Sequence, residues 1–99
     1  MTPHITLDRE RIADFCRRNK IRRLALFGSV LTDRFGPESD VDVLAEFEPD
    51  AVVTYLDMAG MEIELGEMLH RKVDLRTPAE LSRYFRDKVV ATAEVQYAA

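Results

Sequence analysis

The stretch from Leu26 to Glu46, LFGSVLTDRFGPESDVDVLAE, constrains the fold of this chain more than any other. An apolar run (Leu24, Ala25, Leu26, Phe27) stops abruptly at Gly28-Ser29. After ten intervening residues, Asp40-Val41-Asp42 leads into a second apolar run, Val43-Leu44-Ala45. Short apolar runs bounded by Gly, Pro and charge read as strands. Two strands therefore flank a loop, with a conformationally free dipeptide at one end and paired carboxylates at the other. Such a loop suits a metal-bound phosphate.

Asp40 and Asp42 are two apart on a strand, so their side chains share one face while Val41 and Val43 point into the core. Like charges this close repel, and more so as water is excluded. A divalent cation relieves the repulsion, and Mg²⁺ in particular takes one or two carboxylates and completes its octahedron with phosphate oxygens and water. Asp74, in Lys72-Val73-Asp74-Leu75-Arg76, is again the polar residue between two apolar ones. If its strand neighbours the strand of Asp42, three carboxylates converge on one sheet face. That is the ligand set of two-metal nucleotidyl transfer. Gly28 lets a backbone approach closely, and Ser29 offers a hydroxyl and an amide at the start of a helical turn, where anions are favoured. Taken singly, Asp-x-Asp fits a solvated strand end and Gly-Ser fits any turn. The combination is specific.

The remaining pattern predicts the order helix, strand, loop, strand, helix, strand, helix. Thr6 is the expected cap of a first helix reaching about Asn19, with Leu7, Ile12, Phe15 and Cys16 as its apolar stripe. Strands are expected over Ile21 to Phe27, Val41 to Phe47 and Lys72 to Arg76, with a short turn after Ser29. Asp50 is the expected cap of a long helix ending near Leu69. Val52, Leu56, Ala59 and Ile63 fall on one side of that helix, and Met58, Met61, Leu65 and Met68 on nearly the opposite side. The second stripe either packs against a C-terminal helix or faces another protein. Thr77-Pro78 opens that C-terminal helix, expected to run to Tyr97 in one or two pieces. The fold class is α/β (α+β), a small mixed sheet of three or four strands covered by helices.

Ninety-nine residues make a single domain, 1–99, with one core. A net charge of −4 is unlike a general nucleic-acid binder. The basic residues Arg9, Arg11, Arg17, Arg18, Lys20, Arg22 and Arg23 read as the solvated face of one helix, with a polyanion or triphosphate surface as the alternative. One cysteine, Cys16, forms no internal disulfide and reads as a buried small hydrophobe. No apolar stretch is long enough to span a membrane and no signal-peptide core is present, so a cytoplasmic protein is expected. His4 and His70 do not suggest a zinc site, and Tyr55, Tyr84 and Tyr97 read as core or interface residues.

The run LFGSVLTDRFGPESDVDVLAEFEP followed by RKVDLRTP resembles the minimal nucleotidyltransferases (MNT) of the DNA polymerase beta-like superfamily. The resemblance covers about Ile5 to Tyr97. It implies that Gly28 and Ser29 hold a triphosphate together with Asp40 and Asp42, that Asp40, Asp42 and Asp74 bind Mg²⁺ as two ions, and that Asp74 helps activate the attacking hydroxyl. It further implies an antitoxin paired in a hetero-oligomer with a HEPN-domain RNase toxin. The antitoxin transfers AMP from ATP to a toxin tyrosine, with no nucleic-acid or membrane partner. The alternatives are an antitoxin that works by binding alone and a nucleotidyltransferase for a small-molecule hydroxyl. One departure stands out: many relatives carry a basic residue directly after Gly-Ser, and this chain has Val30. Arg34 is near enough in sequence to supply the charge.

Overall fold

The computed structural model describes residues 8–32, 36 and 39–99. Helix α1 (Arg9–Arg18) starts where the Asp8 carboxylate accepts hydrogen bonds from the amides of Glu10 (3.0 Å) and Arg11 (3.3 Å), satisfying donors that a helix start leaves free. The expected cap, Thr6, and the stripe residue Leu7 lie outside the described residues. Ile12, Phe15 and Cys16 form the buried stripe. Burial pushes the Cys16 thiol up to about 12, so it packs as a hydrophobe and is not a nucleophile. The basic cluster faces solvent, and several of its members meet acids: Arg18 pairs with Asp14 and Glu64, and Arg22 and Arg23 with Glu46. Arg9, Arg11, Arg17 and Arg18 lie on α1, whereas Arg22 and Arg23 lie on β1, so the cluster is not the expected face of one helix.

Strand β1 (Ile21–Phe27) follows after two residues, then a 3₁₀ turn (Gly28–Leu31) and strand β2 (Val41–Phe47). Both strands have the bounds expected from their apolar runs. Helix α2 (Tyr55–Leu69) begins later than expected, because Thr54 and not Asp50 caps it. The Thr54 hydroxyl accepts from the Asp57 amide (3.2 Å), and the Asp57 carboxylate accepts from the Thr54 amide (2.9 Å). This reciprocal pair satisfies two donors at once, which Asp50 could not do, and it leaves Val53 free to pack on the core. Strand β3 (Val73–Arg76) and a 3₁₀ turn (Pro78–Glu80) come next, then helix α3 (Arg86–Thr92) and strand β4 (Glu94–Ala98).

Strand β4 corrects the expected C-terminal helix. The chain turns extended at Ala93, with φ −62° and ψ 140°. It then pairs antiparallel with β1, Leu26 opposite Glu94, Ala25 opposite Val95 and Leu24 opposite Tyr97. The apolar spacing in this segment fits either period, and the unpaired edge of β1 decides the outcome. Among the described residues the sheet has four strands in the order β3-β2-β1-β4, with β2 and β3 parallel and the other pairs antiparallel. Helix α2 is the crossover between the parallel strands.

One face of the sheet supplies Leu24, Leu26, Val41, Val43, Ala45, Val73 and Leu75 to a core shared with α1 and α2. From α2 that core takes Met61, Leu65 and Leu69, with Met58 and Met68 packed at its margin. The other stripe of α2 is uncovered. Leu56 is 85% exposed and Ile63 64%, and Val52, just ahead of the helix, is 89% exposed. The alternative, packing against a C-terminal helix, is therefore not how this stripe is used within the chain.

Candidate active site

Strand register assembles the acids. Asp42 lies directly beside Asp74 on the parallel neighbour β3 and opposite Phe27 on the antiparallel neighbour β1. Adjacent strands run about 4.8 Å apart, so two carboxylates that are 32 positions apart in sequence become nearest neighbours. Val41, Val43, Val73 and Leu75 are buried on the core face, which leaves Asp42 and Asp74 on the opposite face.

Gly28 follows Phe27 and borders the same carboxylate. Its φ is +77°, the left-handed region that side chains disfavour. A Cβ built there would stand 2.2 Å from Asp42 Oδ2 and 3.1 Å from its Cγ. The glycine is thus required twice, by the backbone conformation and by the space the Asp42 carboxylate fills. Ser29 follows in the 3₁₀ turn, and Val30 is fully buried in the core. The position after Gly-Ser points inward in this chain, so an apolar residue there has a packing reason. Arg34, the expected substitute for a basic residue, lies outside the described residues.

Asp40 is exposed and immediately precedes β2. Its neighbour Val41 donates its amide to the Lys72 carbonyl (2.9 Å), just ahead of β3. The Asp42 carboxyl is pushed above the usual carboxylate range, first by burial and then by the negative charges of Asp74 and Asp40, with Arg76 opposing. Asp74 is met by Arg76, whose Nε is 3.1 Å from Oδ1 and whose second donor is 3.3 Å from Oδ2. The structure therefore sets Asp42 and Asp74 side by side and brings Asp40 into electrostatic range. It does not close the three into one coordination cluster among the described residues. A carboxyl raised by burial and by two neighbouring carboxylates carries a charge surplus that a divalent cation relieves, so the donor set fits Mg²⁺ chemically.

Arg76 was not singled out from the sequence, although its spacing of two from Asp74 on a strand puts it on the same face. Glu62 on α2 also serves the site, its carboxylate accepting the outward amide of Leu75 (2.7 Å) and so steadying the free edge of β3. Beside that edge is a cavity of about 210 Å³, with Tyr55, Met58, Glu62, Asp74, Arg76 and Glu80 in its lining. The roomier depression, about 630 Å³, lies away from the acids, against Val52 and Leu56 on the uncovered side of α2.

Known proteins share this fold and sequence pattern. The family model described as "Nucleotidyltransferase domain" matches residues 9–97. A curated relative from Methanocaldococcus jannaschii, named "Putative protein adenylyltransferase", is 26% identical over 85 residues, covering 86% of this chain and 89% of its own. A solved structure described as a "putative minimal nucleotidyltransferase" is 32% identical, with a TM-score of 0.70 over 86% of this chain and 85% of the other. A chain of a toxin-antitoxin complex solved with AMP-PNP has a TM-score of 0.73 at 21% identity, covering 94% of this chain and 75% of its own. A chain from the tri-AMPylated Shewanella oneidensis HEPN toxin in complex with its MNT antitoxin has a TM-score of 0.64 at 20% identity, covering 92% and 70%. The last two are likenesses of fold. Matched over nearly its whole described length, the chain belongs to the nucleotidyltransferase domain family, the enzyme class its Gly-Ser and Asp-x-Asp runs resemble.

Proposed function

We propose that this nucleotidyltransferase is the antitoxin of a HEPN/MNT pair and neutralises its partner by transferring AMP from ATP to a tyrosine hydroxyl of the HEPN RNase. The observation that carries the reading is the register that places Asp42 between Asp74 and Gly28. Support also comes from the relative named for protein adenylylation and from the fold shared with chains of HEPN/MNT complexes, one of which contains an AMPylated toxin.

In this reading Gly28 and Ser29 cradle the triphosphate, and Asp40, Asp42 and Asp74 hold Mg²⁺. Metal bound there supplies charge neutralisation for the triphosphate and lowers the pKa of the acceptor hydroxyl. Asp74, on the outer strand of the pair, is the carboxylate that helps activate the acceptor hydroxyl in this reading. The tyrosine oxygen bonds to the α-phosphorus, the bond from that phosphorus to the bridging oxygen of the β-phosphate breaks, and pyrophosphate leaves. The phenolic proton passes to a nearby carboxylate or to water. Most of the rate comes from positioning and charge.

A protein acceptor is supported by Val52 and Leu56, which stand exposed beside a depression, and by Ile63, exposed on the same side of α2. Exposed apolar residues grouped in this way mark protein contact surfaces. The complex forms in the cytoplasm in this reading, and no described helix is long and apolar enough to cross a membrane. Val30 would argue for a binding-only antitoxin if its position faced the phosphates. It is a core position, so it gives that alternative no weight.

The test is to incubate the protein with α-labelled ATP, Mg²⁺ and the HEPN protein encoded beside it. Label is expected on a partner tyrosine, with release of pyrophosphate. A partner left unlabelled and fully neutralised would instead establish the binding-only reading.

A further inference from the structure

Asp40 stands ahead of β2, so what flanks it must fix its place. On its C-terminal side the Val41 amide is held by the Lys72 carbonyl at 2.9 Å. On its N-terminal side, Gly36 and Ser39 are hydrogen-bonded to each other. The Ser39 amide donates to the Gly36 carbonyl (3.1 Å) and the Gly36 amide to the Ser39 hydroxyl (3.0 Å). The Arg71 guanidinium donates to both of their carbonyls, to Ser39 at 3.0 Å and to Gly36. Arg71 and Lys72 thus bracket Asp40 from one connection, the one between α2 and β3.

The fold makes a specific arrangement to bring Arg71 there. Helix α2 ends in a left-handed residue, His70 (φ 56°), and the Arg71 amide returns to the Gly66 carbonyl at 3.1 Å. A Cβ at Gly66 would stand 2.9 Å from the Arg71 carbonyl oxygen, so the glycine gives Arg71 the room to fold back against the helix. Both hydrogen bonds come from one guanidinium nitrogen, Nη2, whose two N–H groups can serve the two carbonyls.

We infer that Arg71 is a positioning residue: by holding the Gly36 and Ser39 carbonyls it sets the Asp40 carboxylate beside Asp42 for cation binding. The inference rests on the proposed function, in which Asp40 is a metal ligand. Residues that orient metal ligands typically change affinity tenfold or more when removed. Charge alone works in the opposite direction, because deleting a cation near three carboxylates should tighten the binding of another cation. The sign of the effect therefore separates positioning from charge.

The experiment is a Mn²⁺ titration of ¹⁵N-labelled protein, reading the paramagnetic broadening of amides around Asp42 and Asp74. The variants are Arg71→Met, Arg71→Lys, Asp40→Asn and the double variants. Arg71→Met is expected to weaken Mn²⁺ binding roughly tenfold, Arg71→Lys to fall between it and the wild type, and neither to weaken binding further once Asp40 is Asn. Unchanged or tighter binding by Arg71→Met, or an equal loss in the Asp40→Asn background, overturns the inference. The same spectra report folding, and if Arg71→Met does not fold, Arg71→Lys in both backgrounds decides by the same two criteria. A wild-type protein whose amides do not broaden around the acids overturns the metal reading itself.

Discussion

The pairing of β2 with β3 and the outer side of α2 are built on opposite principles. In the strand pair each functional group is fixed by neighbours within the chain: Asp42 by register against Asp74 and by the space at Gly28, Asp74 by Arg76, and the free edge by Glu62. On the outer side of α2, Leu56 and Ile63 stand largely exposed. A charged site needs geometry set in advance, because like carboxylates drift apart unless the backbone holds them. A contact surface for another protein needs no partner within the chain, and its energy is released only on association. The two regions should therefore respond oppositely to mutation, one losing chemistry and the other losing only the complex.

The sharpest contrast lies within α2. Leu65 faces the core at 1% exposure and Leu56 faces away at 85%. Leu65→Ala is expected to cost about 2–5 kcal/mol in chemical denaturation, from lost burial and the cavity left behind. Leu56→Ser should change stability by less than about 0.5 kcal/mol and yet weaken capture of the HEPN partner. A Leu56→Ser variant that unfolds early would mean the uncovered stripe is structural after all.

Gly28→Ala comes next. The left-handed φ disfavours any side chain by about 1–2 kcal/mol, and the new methyl collides with Asp42. A drop of that order in stability is expected, together with weaker Mn²⁺ binding as the carboxylate is pushed aside. Normal binding would show that Asp42 has another place to go.

The smallest effect runs the other way. Asp42→Asn removes a charge held half-buried between two others, so the metal-free variant should melt slightly higher than the wild type. Added Mg²⁺ should stabilise the wild type and leave Asp42→Asn unmoved, which thermal scans with and without the ion would check.

These expectations draw on features that were unequally legible. The apolar runs from Ile21 to Phe27 and from Val41 to Phe47 are long and cleanly bounded, so the strands and the acids on them could be read directly. Asp74 was legible as the polar residue in an alternating strand, although only the sheet order makes it the neighbour of Asp42. The C-terminal strand was not legible, because Val89, Val90, Ala93 and Val95 satisfy a helical spacing and the vacant edge of β1 is no property of that segment. Thr54 was passed over as a cap for Asp50, although Thr54 with Asp57 carries the reciprocal capping pattern. Arg71 and Glu62 act through contacts with residues distant in sequence, on carbonyl and amide groups that any residue type supplies. No local pattern could announce them.

On the proposed function, the strand pair performs the transfer and the outer side of α2 receives the protein that is modified. The most direct measurement follows label from α-labelled ATP onto the HEPN partner, with partner capture assayed in parallel, for three proteins: wild type, Asp40→Ala/Asp42→Ala and Leu56→Ser/Ile63→Ser. The acid variant is expected to capture the partner still and to transfer nothing. The surface variant, with its acids intact, is expected to label poorly because it no longer holds the partner. Labelling by the acid variant at the wild-type level would contradict the proposed function.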